Sequence, residues 1–203
     1  MVKFGVIHVG GENAMGMLAT GLLLWVVVHL FPSLLPEQRK KLISRIGDKA
    51  YQGIFALCIL AGLLLIIFGW RSAIPTPVYT PLAELRVPAM LLVVIAFVLL
   101  VAASFPSTRI KRVIRHPQLS GVLLWAIAHL LMNGDSRSLL LFSVLGVWSL
   151  VSMLTINRRD GLWIKPGKPD GWGLDIIIVI VALAVSALAV YFHEYLAGIA
   201  LIT

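Results

Sequence analysis

Three observations predict an all-α integral membrane protein, a six-helix transmembrane bundle. Of 203 residues, 60% are hydrophobic and only 13% charged, and the mean hydropathy of +0.97 lies outside the range of a water-soluble domain. The apolar residues fall into six blocks, about 14–34, 51–70, 87–105, 118–132, 138–156 and 174–197. Most approach the roughly 20 residues that cross about 30 Å of hydrocarbon. Backbone in lipid must satisfy its own polar groups, so each block is expected to be a helix. One membrane domain over 1–203 follows.

The first block is preceded by Gly10, Gly11, Glu12 and Asn13, which suit a turn and cap, and is expected to end around Phe31-Pro32-Ser33. Small residues from Ala14 to Ala19 come before its apolar core and not after it, so it reads as a retained helix instead of a cleaved signal. Leu35 to Tyr51 reads as an interfacial stretch. The second helix ends at Trp70-Arg71, an aromatic and a cation suited to a membrane boundary. Pro75, Pro77, Pro81 and Pro88 then break the chain into an irregular loop or a short cap. Ser107 to Arg115 sets Ile110, Val113 and Ile114 among four cations, a basic amphipathic turn along the membrane surface.

The fourth block, Gln118 to Met132, has fifteen residues and spans about 22 Å as a helix. Short helices are tolerated where protein surrounds their ends, so this one is expected at the centre. Asn133-Gly134-Asp135-Ser136 is a tight turn with Asp135 capping the fifth helix. Cys58 is the single cysteine, which excludes an internal disulfide and a Cys-rich metal cluster and leaves packing as its role.

A net charge of +8 does not indicate nucleic acid here, because the cations sit in loops. The loops 35–50, 106–117 and 157–173 hold thirteen of the seventeen Lys and Arg residues. Lys3, Arg71, Arg86 and Arg137 fall on the other side. The positive-inside rule then puts the three basic loops in the cytoplasm and both termini outside.

Two blocks repeat a pattern. Gly21-x3-Trp25-x3-His29 and Gly121-x3-Trp125-x3-His129 share one register in a chain with six Trp and five His. On a helix each trio forms a drifting stripe, with a flat hollow at glycine, an aromatic wall and an imidazole lone pair. Polar residues at membrane depth usually mark function, although a single such histidine is also satisfied by a bond to a neighbouring helix. Two stripes with imidazoles suit a planar haem, whose iron takes one or two axial histidines. Zinc suits them less, with no Cys or carboxylate nearby in sequence. The two helices are separated by an odd number of crossings and run in opposite directions, which matches an inverted three-plus-three repeat.

Arg115-His116-Pro117 leads into the second stripe, with Pro117 suited to a first helical turn and His116 to its cap. It reads either as a basic helix start or as a cofactor contact, with Arg115 clamping a propionate and His116 shuttling protons or touching it. His193 and Glu194 read as interfacial, with His193 also a replacement ligand on the outer side. His8 reads as a surface residue, and Trp70, Trp163 and Trp172 as boundary anchors.

Arg115-His116-Pro117-Gln118-x2-Gly121-x3-Trp125-x3-His129-x3-Asn133-Gly134-Asp135, with His29 and the upstream Thr108-Arg109-Ile110-Lys111, resembles the NnrU membrane family over about 17–157. That family is associated with nitrite and nitric oxide metabolism in denitrifying bacteria and is related to the zeta-carotene isomerase of plants. The resemblance implies a multi-pass protein of the bacterial inner membrane, with periplasmic termini in the orientation above. It also implies haem b between the first and fourth helices, ligated by His29 and His129, and an apolar substrate or small gaseous ligand; it names no electron partner. The isomerase carries a cysteine three residues before its second histidine; here that position is Ala126, which cannot ligate iron. A non-enzymatic factor supporting nitric oxide reductase is the alternative. Arg-His-Pro-x3-Gly is also similar to membrane S-adenosylmethionine-dependent methyltransferases, but the acids after Gly121, namely Asp135, Asp160, Asp170, Asp175 and Glu194, are isolated and not paired.

Depth tests the shared haem. With His29 about five residues from the inner end of its helix and His129 about three from the outer end of its own, the offset is about 10 Å along the membrane normal. A tilted or re-entrant fourth helix brings them to one iron. Otherwise His29 pairs with His116, and His129 with His193.

Overall fold

The computed structural model describes residues 11–168 and 171–198. Among these the chain is all-helical, and a single isolated antiparallel bridge joins Pro77 to Asp135. The helices are α1 (Gly11–Leu34), α2 (Pro36–Ile46), α3 (Asp48–Ser72), α4 (Arg86–Ala103), α5 (Arg109–Val113), α6 (Pro117–Met132), α7 (Ser136–Asp160), α8 (Gly173–Tyr191) and α9 (His193–Ala197), with a 3-10 turn at Ala83–Leu85. His8 and Lys3 lie outside the described residues.

Five of the six expected blocks are long and apolar enough to cross a membrane: Asn13–Leu34, Asp48–Ser72, Ala83–Ala103, Ser136–Asp160 and Gly173–Tyr191. The protein is a multi-pass membrane protein. The other block, α6, is apolar but has only 16 residues. Of these only Gln118 and Ile127 are exposed, so protein encloses most of it. α1 ends within a residue of the expected Phe31-Pro32-Ser33. α1 runs through Pro32, because Leu35 N donates to Phe31 O at 2.9 Å and closes the last turn without the proline's missing donor. The last block breaks at Phe192 before the short α9.

Contacts divide the chain into two compact units, Met1–Val78 with Asp135–Val144 and Tyr79–Gly134 with Leu145–Thr203. In the first, α1 lies against α3 at backbone distance. A Cβ on Gly21 would fall 2.7 Å from Ile66 N, and one on Gly69 2.5 Å from Leu18 N. Lipid gives apolar helices little reason to associate, so close van der Waals contact across small residues is what holds such a pair. Leu18 and Leu22 are fully buried in it. The amphipathic α2 buries no residue completely. Arg137 closes the far end of α3: it donates to Trp70 O at 3.0 Å, and its guanidinium lies 4.5 Å from the Trp70 ring centre. A cation there complements the negative end of the helix dipole. Asp135 caps α7 as expected, accepting from Ser138 N at 3.0 Å.

In the second unit α4 is the shared partner of α6 and α8. It presents Ala89, Ala96 and Ala102, all fully buried. A Cβ on Gly121 of α6 would lie 2.9 Å from Ala96 O. α8 contributes Ile178, Ala182 and Ser186, spaced four residues apart along one face. After the 3-10 turn and α4, the chain reaches α5 through a loop that binds the segment following α7.

Gly21→Ala and Gly69→Ala should each destabilise the protein by about 1–3 kcal/mol, because the added methyl meets backbone that cannot rotate away. Gly53→Ala, where a Cβ meets nothing within 4 Å, should be neutral or stabilising. Thermal unfolding in detergent checks all three.

Candidate functional site

The two Gly-x3-Trp-x3-His stripes adopt the same local geometry. His29 Nδ1 lies 2.8 Å from Trp25 O, and His129 Nδ1 lies 2.8 Å from Trp125 O. A carbonyl oxygen only accepts, so in each ring Nδ1 carries a proton and donates it. In a neutral imidazole that makes Nε2 the lone-pair nitrogen. Metal-binding histidines use this arrangement: the second ring N–H donates to a backbone carbonyl, which fixes tautomer and orientation and raises the basicity of the ligating nitrogen. Tryptophan sits beside each imidazole, with ring centres 4.3 Å apart at 34° for Trp25–His29 and 4.7 Å at 50° for Trp125–His129. Phe55 of α3 adds an edge contact to His29 at 5.9 Å. Both histidines are half-buried.

The glycines do something other than expected. The hollow beside Gly21 is filled by the backbone of α3, and that beside Gly121 by Ala96 and Leu100 of α4. Each glycine is used to seat its histidine-bearing helix against a neighbour, and a flat space for a ring does not lie there.

Arg115 and His116 hold the start of α6. His116 occupies the cap position with Pro117 behind it, as the sequence indicated, but its side chain makes no capping bond. Its Nε2 donates instead to Asn157 Oδ1 at 2.8 Å. Arg115 donates to Gly161 O at 2.8 Å. Both tie α6 to the end of α7.

The upstream cations follow the same rule. Thr108, fully buried, caps α5 by accepting from Lys111 N at 3.0 Å. Lys111 Nζ donates to Ala103 O at 2.8 Å and to Phe105 O, closing the end of α4. Arg109 donates to Gly171 O at 2.8 Å, pairs with Asp175 at 3.2 Å and stacks on Trp172 at 3.9 Å. Trp172, read from sequence as a membrane anchor, is thus also the platform of an arginine.

At the other end of α6 the turn carrying His129 is clamped. Asn133 N and Nδ2 both donate to His129 O, at 2.8 and 2.9 Å. The Tyr79 hydroxyl contacts Asn133 O at 2.7 Å and Leu130 O more closely. Tyr79 N donates to Gly134 O at 3.0 Å, and any Cβ on Gly134 would overlap the Tyr79 carbonyl. Tyr79 escaped sequence reasoning because it lies among loop prolines with no periodic pattern; the obligatory Gly134 was the one legible sign of a close approach. His193 stands at the start of α9. Among the described residues no three His, Cys, Asp or Glu side chains gather as a metal site.

A family model described as NnrU protein matches residues 17–201. The chain belongs to the NnrU family. The match continues past residue 157, where the motif resemblance stopped, through the last membrane helix. No curated protein and no solved structure matches the chain. In this NnrU protein the segment from Thr108 to Asp135 therefore combines two tasks: its polar residues close helix ends, and its stripe presents His129.

Tyr79→Phe removes the donor shared by the Leu130 and Asn133 carbonyls and should cost about 1 kcal/mol. It should also speed amide exchange at Asn133 more than at residues in the middle of α4. Hydrogen exchange in detergent reads both effects.

Proposed function

We propose that this NnrU protein binds haem b through His29 and His129 and acts in membrane redox chemistry of nitrogen oxides, nitrite or nitric oxide. The observation that carries this reading is the repeated Nδ1–H donation to the carbonyl four residues back. It gives both imidazoles the tautomer that a ligating histidine needs, by the same device on two helices. Haem iron, when bound, supplies one-electron redox chemistry and a coordination position for a small gaseous ligand. The chain's own part is orientation and shielding. The carbonyls of Trp25 and Trp125 keep the rings from turning, their indoles cover one side of each imidazole, and Asn133 and Tyr79 fix the last turn of α6.

Isomerisation of an apolar substrate by exchange of an iron ligand is less well supported. Ala126 is fully buried, and a Cβ on Gly146 of α7 would sit 3.5 Å from it, so no ligating atom occupies that position. The charge distribution of the loops supports placement in the bacterial inner membrane with both termini periplasmic. A reporter enzyme that works only in the periplasm, fused after Thr203, should be active; one fused within 161–168 should be silent.

Purified protein in detergent, or protein reconstituted with haem, should show a Soret band. His29→Ala and His129→Ala should each remove or shift it, and His116→Ala should change it less. The haem-to-protein ratio then reports whether both imidazoles serve one iron. Absence of the band in both preparations would overturn the cofactor and favour a membrane factor without one.

A further inference from the structure

The loop between α7 and α8 carries its large apolar side chains outward. Leu162 is 95% exposed and Ile164 90%, more than any other large hydrophobic residue described. The loop is nonetheless held in place by its carbonyls. Arg115 donates to Gly161 O at 2.8 Å, Arg112 to Pro166 O at 2.6 Å, and Ser107 to Gly167 O at 2.9 Å. These bonds satisfy the polar backbone from one side and leave the side chains of Leu162 and Ile164 to the other.

Three exposed cations, Arg158, Lys165 and Lys168, flank these tips, and none has an ion pair among the described residues. The nearby acids Asp160 and Asp175 are each committed to an arginine, Arg159 at 2.7 Å and Arg109 at 3.2 Å. Both ends of the loop emerge from membrane-spanning helices, so it lies at the membrane boundary. Protruding apolar residues among exposed cations, with Lys165 lying 5.5 Å from the Trp163 ring centre, complement a surface that is oily beneath and negative above. We propose that this loop is an anchor that inserts Leu162 and Ile164 into the headgroup layer of an anionic phospholipid membrane, with Arg158, Lys165 and Lys168 on the lipid phosphates.

The test uses the full chain in phospholipid vesicles. Cys58→Ser removes the native thiol, and a nitroxide is attached after Leu162→Cys, Ile164→Cys or, as a control in the 3-10 turn, Glu84→Cys. These positions lie outside the packed helix faces, so the fold is retained. In vesicles containing phosphatidylglycerol, collision of the labels at 162 and 164 with a water-soluble nickel chelate should be largely lost relative to phosphatidylcholine vesicles. The label at 84 should not change. Lys165→Gln and Lys168→Gln should each lower the ratio of inserted to free loop on the order of fivefold. Labels at 162 and 164 that stay open to the chelate in anionic vesicles would overturn the anchor and mark the loop as a face for a soluble partner. Equal protection in both lipids would overturn the role of the cations.

Discussion

The constraint on which this structure depends is that no backbone carbonyl near the membrane can be left without a donor. A helix satisfies its interior carbonyls and exposes the last four, and water is scarce where these helices end. The chain meets the shortage with side chains. Lys111 closes α4, Arg137 closes α3, Asn133 and Tyr79 close α6, and Arg115 closes the turn after α7. Each of the three cations also meets the negative end of a helix dipole, so one contact satisfies hydrogen bonding and electrostatics together. In the stretch from Arg109 to Arg115 four cations are met by backbone carbonyls.

The same economy shapes the histidine stripes. A carbonyl has two lone pairs and a helix uses one, so the Trp25 and Trp125 carbonyls can accept an imidazole N–H without breaking the helix. Glycine four residues earlier in each stripe brings the helix close to its neighbour, which fixes the position of the backbone that holds the ring. Tryptophan fills the intervening turn. The trio is therefore a positioning device, with glycine setting the helix, the tryptophan carbonyl setting the tautomer and the indole shielding one side. In this arrangement glycine acts on the histidine through the helix and not through a space beside it.

Elements governed by short-range rules were legible in the sequence. Hydropathy marked the membrane helices to within a few residues except at the end of the last, Asp135 was readable as a cap, and the shortness of α6 followed from counting. The motif beginning at Arg115 was sufficient to indicate the NnrU family. What escaped is long-range and involves backbone acceptors. Arg109, Arg112 and Arg115 bind carbonyls 46 to 62 residues away, and any residue type offers a carbonyl, so the partner leaves no trace in composition. Gly21 and Gly121 were ambiguous for a related reason: a missing side chain reads equally as a hollow or as a close contact, and only the neighbouring helix decides.

The histidine geometry supports the ligand role proposed for the two rings. A membrane histidine kept for packing gains most by donating across to another helix, because that bond adds to helix association. Both rings here donate Nδ1–H to a carbonyl of their own helix, four residues back, which fixes each ring's tautomer without that N–H tying one helix to another. In each case this makes the outer nitrogen, Nε2, the lone-pair site. One such histidine would be weak grounds for a ligand. Two that share residue spacing, donor atom, acceptor position, indole neighbour and partial burial are what the proposed coordination of iron through an oriented Nε2 would use.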